Sequence, residues 1–200
     1  MNLLERLHGG CIQQKRLDSL VRHLKDVVPQ NASVLDVGCG DGHLAALLRE
    51  KRPDLVVEGI EVLARDKAWI PVQHFDGRTI PYKSASMDVV MFIDVLHHTD
   101  DPVLLLREAA RVARKSIIIK DHLADGFLAE STLRFMDRIG NARYGVALPG
   151  NYWRLRQWKN AFDALALAPV EWRENLRLYP MVVDMWFGRS LHFVARVEAA

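Results

Sequence analysis

Cysteine is almost missing from this chain of 200 residues: Cys11 and Cys39 are the only two. That excludes a disulfide-stapled scaffold. Neither charge sign dominates, with 27 Lys and Arg against 25 Asp and Glu, a formal +2 and a pI near 8.6. Such a balance does not advertise a nucleic-acid partner, although a local patch still can. Long apolar runs are absent as well. The longest stretch free of Asp, Glu, Lys and Arg runs from Tyr144 to Trp153, ten residues, about half a membrane span. The opening residues Met1-Asn2-Leu3-Leu4-Glu5-Arg6 carry both charge signs and no uninterrupted apolar segment, so the expectation is a cytoplasmic protein without a secretory leader. What the chain does have is apolar content of 50%, which rules out extended disorder. At this length one domain with one substantial core is expected, burying roughly 70% of the unfolded surface.

From residue 33 onward, short β-branched runs alternate with amphipathic stretches, the signature of a parallel sheet with crossover helices. Strands are expected at 34–37, 54–61, 72–75, 87–95 and 116–119, with a closing pair at 170–178 and 191–197. Helices are expected at 43–51, 62–69, 103–113, 125–139 and 154–167. Residues 2–28 read as one or two helices, with Gly9-Gly10 as the break. Asp100-Asp101-Pro102 is a helix start, an acidic cap followed by Pro in the first turn.

The first strand runs into Asp36-Val37-Gly38-Cys39-Gly40-Asp41-Gly42, which opens a helix. Glycines let the backbone turn sharply and approach a ligand, and a helix N-terminus offers unpaired N–H groups. Glu61 closes the second strand, where doubly wound folds place a carboxylate against ribose hydroxyls. A dinucleotide site would space its glycines as G-x-G-x-x-G; here the third comes one residue early, and Asp36 would repel a pyrophosphate. A ligand bearing an ammonium group suits that acid, and S-adenosylmethionine has one, with a ribose, an adenine and no phosphate.

VLDVGCGDG (34–42), EGIEV (58–62), HFDG (74–77) and SMDVVMFIDVLHHTDDP (86–102) resemble the successive motifs of class I S-adenosylmethionine-dependent methyltransferases, closest to the small type 11 group acting mostly on small molecules. The resemblance implies an α/β fold: a three-layer αβα sandwich around a doubly wound, mostly parallel seven-stranded sheet whose last strand is antiparallel. It implies a helical cover (1–30), a cofactor-binding core (33–121), an acceptor lid (122–169) and a closing strand pair (170–198). Asp36, Gly38 and Gly40 would hold the methionine moiety and Glu61 the ribose. Val62 would pack on the adenine, whose amino edge Asp76 and Gly77 would meet. Asp94 and Val95 would line the methionine side, with His97 and His98 just beyond. The segment from Glu61 to Asp76 is shorter than the family's usual one, and nothing after residue 121 matches an acceptor-specific motif.

For acceptor chemistry, Asp121-His122 is expected just after the fifth strand, facing the site mouth, with His122 as a base oriented by Asp121 and His98 as a further candidate. No metal is expected, since the spacing of His97, His98 and His122 demands none. Cys39 reads as a small loop residue and Cys11 as packing. No Cys follows the fourth or fifth strand, which argues against covalent methylation of pyrimidines at carbon 5. Residues 134–159 carry six basic side chains against one acid, Asp137, interleaved with Tyr144, Tyr152, Trp153 and Trp158. That segment suits a solvated helix face with inward aromatics, an Arg-lined site for an anionic small acceptor, or RNA. With Asn141 and the glycines at 140, 145 and 150 it also suits a lid. The leading expectation is methyl transfer to a small-molecule O or N acceptor. An RNA methyltransferase, an NAD(P)-binding oxidoreductase and a non-catalytic scaffold are the alternatives.

Overall fold

The computed structural model describes residues 3–63, 67–141, 150–188 and 190–200, with side chains described except at 3–9, 11, 139–141, 182 and 186. In chain order the elements are α1 (Leu3–Val27), β1 (Ser33–Val37), α2 (His43–Lys51), β2 (Val56–Glu61), β3 (Val72–His74), β4 (Met87–Ile93), a 3-10 turn (Leu96–His98), α3 (Pro102–Val112), β5 (Ala113–His122), α4 (Ala129–Asn141), α5 (Leu155–Ala164), β6 (Leu167–Glu174), α6 (Met181–Phe187) and β7 (His192–Ala199). The strands form one sheet of seven in the order β3-β2-β1-β4-β5-β7-β6. Strands β1 to β5 pair in parallel, and β7 lies antiparallel between β5 and β6.

Side chains alternate along the buried strands between two cores, as the two-residue period of a strand requires. Leu35, Val37, Val90, Phe92, Ile117, Ile119 and Phe193 face one side, where α3 and α5 supply Leu105, Leu106, Val112, Trp158 and Phe162. Val34, Val89, Met91, Ile118 and Val194 face the other, against Leu20, Leu24 and Val27 of α1 and Leu48 of α2. Both faces are covered, which is why the central strands read as continuous apolar runs. Ala129 and Leu133 of α4 belong to a separate small cluster with Ala124, Tyr152 and Leu191.

The start of α3 is as expected, with Asp101 Oδ1 accepting from the Leu104 N–H at 3.0 Å and Pro102 in the first turn. Other boundaries differ. Helix α1 is continuous through Gly9-Gly10, because a helix tolerates interior glycine at about 1 kcal/mol each. The expected helix at 62–69 does not form over the described residues 62–63 and 67–69; the Val62 and Leu63 N–H groups donate to Glu61 Oε1 instead of starting a turn. Strand β4 stops at Ile93, since Asp94 sits at φ 56°. Strand β5 is longer than expected, because β4 pairs with it back to Ala113 and β7 pairs forward to His122. Asp121 and His122 are therefore inside the sheet rather than in a loop beyond it. The strand expected to reach residue 178 ends at Glu174. Asn175 and Arg177 take positive φ, and α1 captures the next carbonyls through Ser19 Oγ to Arg177 O at 3.1 Å and His23 Nε2 at 2.9 Å from Leu176 O. Helix α6 was not expected at all.

Gly59 in β2 sits beneath the glycine turn. A Cβ there would lie 2.5 Å from Cys39 Sγ and 3.2 Å from Ile70 Cδ1. Gly59→Ala is therefore expected to lower the unfolding free energy by about 1–3 kcal/mol through overpacking. Urea denaturation checks this as a lower midpoint at unchanged slope, with part of the loss recovered in Gly59→Ala/Cys39→Ala.

Candidate active site

The turn after β1 places Gly38, Gly40 and Gly42 at φ 71°, 61° and 74°, a region that L side chains enter at a cost. Close approach matters equally at Gly38, where a Cβ would meet Val95 Cγ2 at 2.7 Å. The turn is pinned to β2: Gly38 and Cys39 donate to Ile60 O at 2.8 and 3.2 Å, and Gly40 N–H donates to Glu61 Oε2 at 2.7 Å. Glu61 Oε1 takes the Val62 and Leu63 N–H groups at 2.9 and 3.0 Å. This buried carboxylate thus fixes both the glycine turn and the chain leaving β2.

Two clefts open beside the turn and share Gly38 and Gly40. The first, about 580 Å³, is lined by Glu61, Val62, Phe75, Asp76, Gly77, Asp94, Val95 and His98. The second, about 610 Å³, is lined by Asp36, Cys39, Asp41 and Ile93, with Arg16 and Gln13 from α1. Of the residues expected around the nucleoside, Glu61, Val62, Asp76 and Gly77 border the first cleft, as do Asp94 and Val95, which were expected on the methionine side. Asp76 is exposed, and its Oδ1 accepts from the Arg78 and Thr79 N–H groups at 2.8 and 2.7 Å, holding the carboxyl below its ordinary range.

The charges are unevenly placed. Asp36 is 3% exposed and has no hydrogen-bond partner among the described residues. Burial, and then the neighbouring Glu61, push its carboxyl up to about 8. Asp94, by contrast, pairs with both Lys120 of β5 and Arg16 of α1. Burial acts to raise Asp94, but Lys120 and Arg16 hold it well below the carboxylate range. Lys120 is fully buried and its ammonium is lowered, chiefly by that burial. The acids Asp36 and Glu61 thus lie at the glycine turn, while the cations Arg16 and Lys120 converge on Asp94 at the end of β4. Cys39 has its thiol pushed up by burial and the nearby acids, so it stays an unreactive thiol.

The histidines gather behind the first cleft. His97 is 2% exposed. Its Nδ1–H donates to Asp121 Oδ1 at 2.6 Å, and its Nε2 lies 3.3 Å from Asp137 Oδ2 of α4. Burial opposes a charge on this ring, but Asp121 and Asp137 outweigh it and raise His97 to about 10. Asp121 is itself fixed by the Leu96 and His122 N–H groups at 3.1 and 2.8 Å. His122 is 6% exposed and borders neither cleft; its Nδ1 is 3.2 Å from His97 Nδ1. Burial and then His97 lower it. His98 does reach the first cleft, and burial followed by the adjacent His97 lowers it to about 4, leaving a neutral ring.

Ligand-type atoms of His97, Asp121 and His122 lie within 4.8 Å of one another, as do those of His97, His98 and Asp137. The 2.6 Å contact between His97 and Asp121 is a hydrogen bond, shorter than the spacing of two donors around one tetrahedral ion, roughly 3.3 Å for bonds near 2 Å. His97 hydrogen-bonds Asp121 through Nδ1, while its Nε2 lies at ion-pair distance from Asp137 without a hydrogen bond.

In the basic segment, Tyr152 and Trp158 are buried while Arg134, Arg138, Arg154, Arg156 and Lys159 are exposed. Tyr152 donates its hydroxyl to Asp137 and stacks on His97 with centroids 5.5 Å apart. Trp158 Nε1–H donates to His122 O at 3.1 Å. Arg143, Tyr144, Gly145 and Pro149 lie outside the described residues, as do the side chains of Cys11 and Asn141. The sequence reading missed Arg16, Lys120 and Asp137 as members of this region. Only Asp137 carried a signal, as the one acid in a basic stretch.

A profile described as "Methyltransferase domain" matches residues 12–173. Among curated proteins, the 27-O-demethylrifamycin SV methyltransferase of Amycolatopsis mediterranei is 33% identical over 131 residues, 55% of this chain and 48% of the relative. The sterigmatocystin 8-O-methyltransferase of Aspergillus flavus is 24% identical over 166 residues, 74% of this chain and 38% of the relative. The chain thus spans about half the length, or less, of these relatives. In fold it resembles a methyltransferase from Thermotoga maritima, with TM-score 0.67 and 15% identity over 98% of this chain and 96% of that one. It also resembles the geranyl diphosphate C-methyltransferase of Streptomyces coelicolor, at TM-score 0.67 and 13% identity over 92% and 79%. With strand order, glycine turn, acidic strand ends and a profile covering most of its length in agreement, the chain belongs to the class I S-adenosylmethionine-dependent methyltransferase family.

Proposed function

We propose that this protein is a cytoplasmic enzyme that transfers a methyl group from S-adenosylmethionine to a hydroxyl oxygen of a small-molecule acceptor. The observation that carries this reading is the pair of clefts meeting at Gly38 and Gly40, one floored by Glu61 and the other by Asp36. A ligand with a nucleoside at one end and a zwitterionic amino acid at the other matches them. The buried Asp36, without a hydrogen-bond partner among the described residues, suits the ammonium group. Arg16, already at the second cleft, suits the carboxylate. Glu61 retains acceptor capacity for ribose hydroxyls beyond its three backbone donors. Val62 would pack on the adenine, Asp76 and Gly77 would meet its amino edge, and Asp94 and Val95 would close the wall between the two ends.

S-adenosylmethionine supplies a methyl group already activated by the positive charge on its sulfur. The chain's own work is alignment and removal of the acceptor's proton. Of the three rings only His98 borders a cleft; His97, whose Nδ1 is oriented by Asp121, is the base proposed once its Nε2 is uncovered, with His122 as the ring beneath it. The two named relatives are O-methyltransferases, in keeping with a hydroxyl acceptor. The buried aromatics of 150–159 favour a small molecule over RNA, because Tyr152 and Trp158 offer no face for base stacking. The low cysteine count suits a reducing compartment.

Glu61→Ala is expected to weaken S-adenosylmethionine and its demethylated product at least tenfold, about 1.4 kcal/mol, in titration calorimetry. Binding of NADH with neither of these ligands taken up would sink the reading. Proton release gives a second check. With its carboxyl near 8 in the free protein, Asp36 is mostly protonated at neutral pH. An ammonium ligand favours the ionised form, so binding at pH 7 should release close to one proton, and affinity should rise with pH until about 8. Calorimetry in buffers of different ionisation enthalpy measures this, and Asp36→Asn should abolish the release. The sign for folding is opposite. The unfolded carboxyl loses its proton near 4 and the folded one near 8, so Asp36 erodes stability of the free protein across that interval.

A further inference from the structure

We infer that Asp137 of α4 occupies the acceptor-hydroxyl subsite, standing at His97 Nε2 where the acceptor's O–H must come, so that the acceptor enters by displacing α4. This rests on the methyl-transfer reading above and names the subsite and chemistry of its acceptor.

The two ends of the His97 ring are held differently. At Nδ1, Asp121 belongs to β5 and is locked by two backbone donors. At Nε2, Asp137 arrives from outside the sheet, 3.3 Å away, steadied by the Tyr152 hydroxyl. Among the described residues, no α4 side chain belongs to either main core. Its buried residues join the small cluster with Ala124, Tyr152 and Leu191, and the chain enters it through exposed residues 125–128, with Gly126 at φ 103° and Leu128 at φ 58°. Other described anchors of α4 include the Phe135–Phe187 stack on α6 and the pairings of Asp137, so displacing α4 opens those contacts while the sheet stays closed.

The charges facing His97 come from every element around it: Asp121 and His122 on β5, Asp137 on α4, His98 on its own turn, Asp94 at the end of β4, and Tyr152 with Arg134 over its ring. With both carboxylates in place the ring is an imidazolium and cannot accept a proton. When an uncharged hydroxyl replaces Asp137, one carboxylate remains and the neutral ring becomes accessible. The acceptor proton then passes to Nε2. The oxygen forms its bond to the methyl carbon as the carbon–sulfur bond breaks, and that electron pair stays on sulfur. Displacement and activation of the base are thus one event, and the group that triggers it is an alcohol or phenol rather than a carboxylate, which would reproduce Asp137.

The test uses the cofactor-free protein, so it can fail independently of the methyl-transfer reading, which calorimetry with S-adenosylmethionine decides. NMR of labelled histidine follows the His97 titration, and diethyl pyrocarbonate at pH 7 probes its Nε2, read by peptide mass spectrometry. Wild-type His97 is expected to titrate near 10 and to react slowly. In Asp137→Asn the midpoint should fall by at least about one pH unit, and carbethoxylation should quicken at least tenfold. Tyr152→Phe, which removes the hydroxyl from the same carboxylate, should move both in the same direction by less, and it carries the test if Asp137→Asn does not fold. An unchanged His97 titration and reactivity in the folded variants would overturn the proposal.

Discussion

The pairing of β1 with β4 governs the molecule. These strands lie side by side in the sheet, yet the chain reaches β4 only after moving outward through β2 and β3. Their connections leave in opposite senses, and a crevice opens at their carboxyl ends. Everything with chemistry gathers there: the glycine turn after β1, Glu61 after β2, and Asp94 with the histidine turn after β4. Val95 packs so closely on Gly38 that no Cβ fits between the two turns. A change in β1–β4 register would separate them, and a one-residue slip would also exchange the side chains that fill the two cores, spoiling the packing of both.

Around that crevice, charge is arranged by burial rather than by net count. A total of +2 conceals an acid kept largely neutral at Asp36, a carboxylate shared by two cations at Asp94, and an imidazolium between two carboxylates at His97. Each depends on a group from a distant part of the chain. Arg16 meets an acid 78 residues away, and Asp121 meets a histidine 24 residues back. Low local dielectric makes these pairs strong and unpaired members costly, so the site is internally balanced in the absence of ligand and responsive to one that alters a single member.

The parts legible in the sequence are those written locally. Central strands announced themselves through apolar runs, α3 through Asp101-Pro102, and the cofactor side through glycine spacing followed by an acidic strand end. Tertiary contacts were not legible. Nothing local about Asp121-His122 says that β7 pairs alongside and draws them into the sheet. Nothing in Leu176-Arg177-Leu178 says that Ser19 and His23 take its carbonyls. Arg16 looks like one more basic residue on an exposed helix until Asp94 is placed beside it. Helix α6 is short and lacks a side-chain cap, so it is sustained by tertiary contacts such as His192 Nε2 at Phe187 O, Tyr179 N–H to Asp184 Oδ1, and Phe135 on Phe187.

The position of β7 bears on how the molecule comes to be made. It is synthesised after β6 but lies inside it, between β6 and β5. Until β7 emerges from the ribosome, the long edge of β5, with Ile117, Ile118 and Ile119 along it, has no partner on that side. Such an edge is a template for intermolecular pairing. The strand that closes it also brings His192 against Lys120. The growing chain can therefore build its glycine turn early but cannot finish the charged cluster behind it until the sheet is sealed.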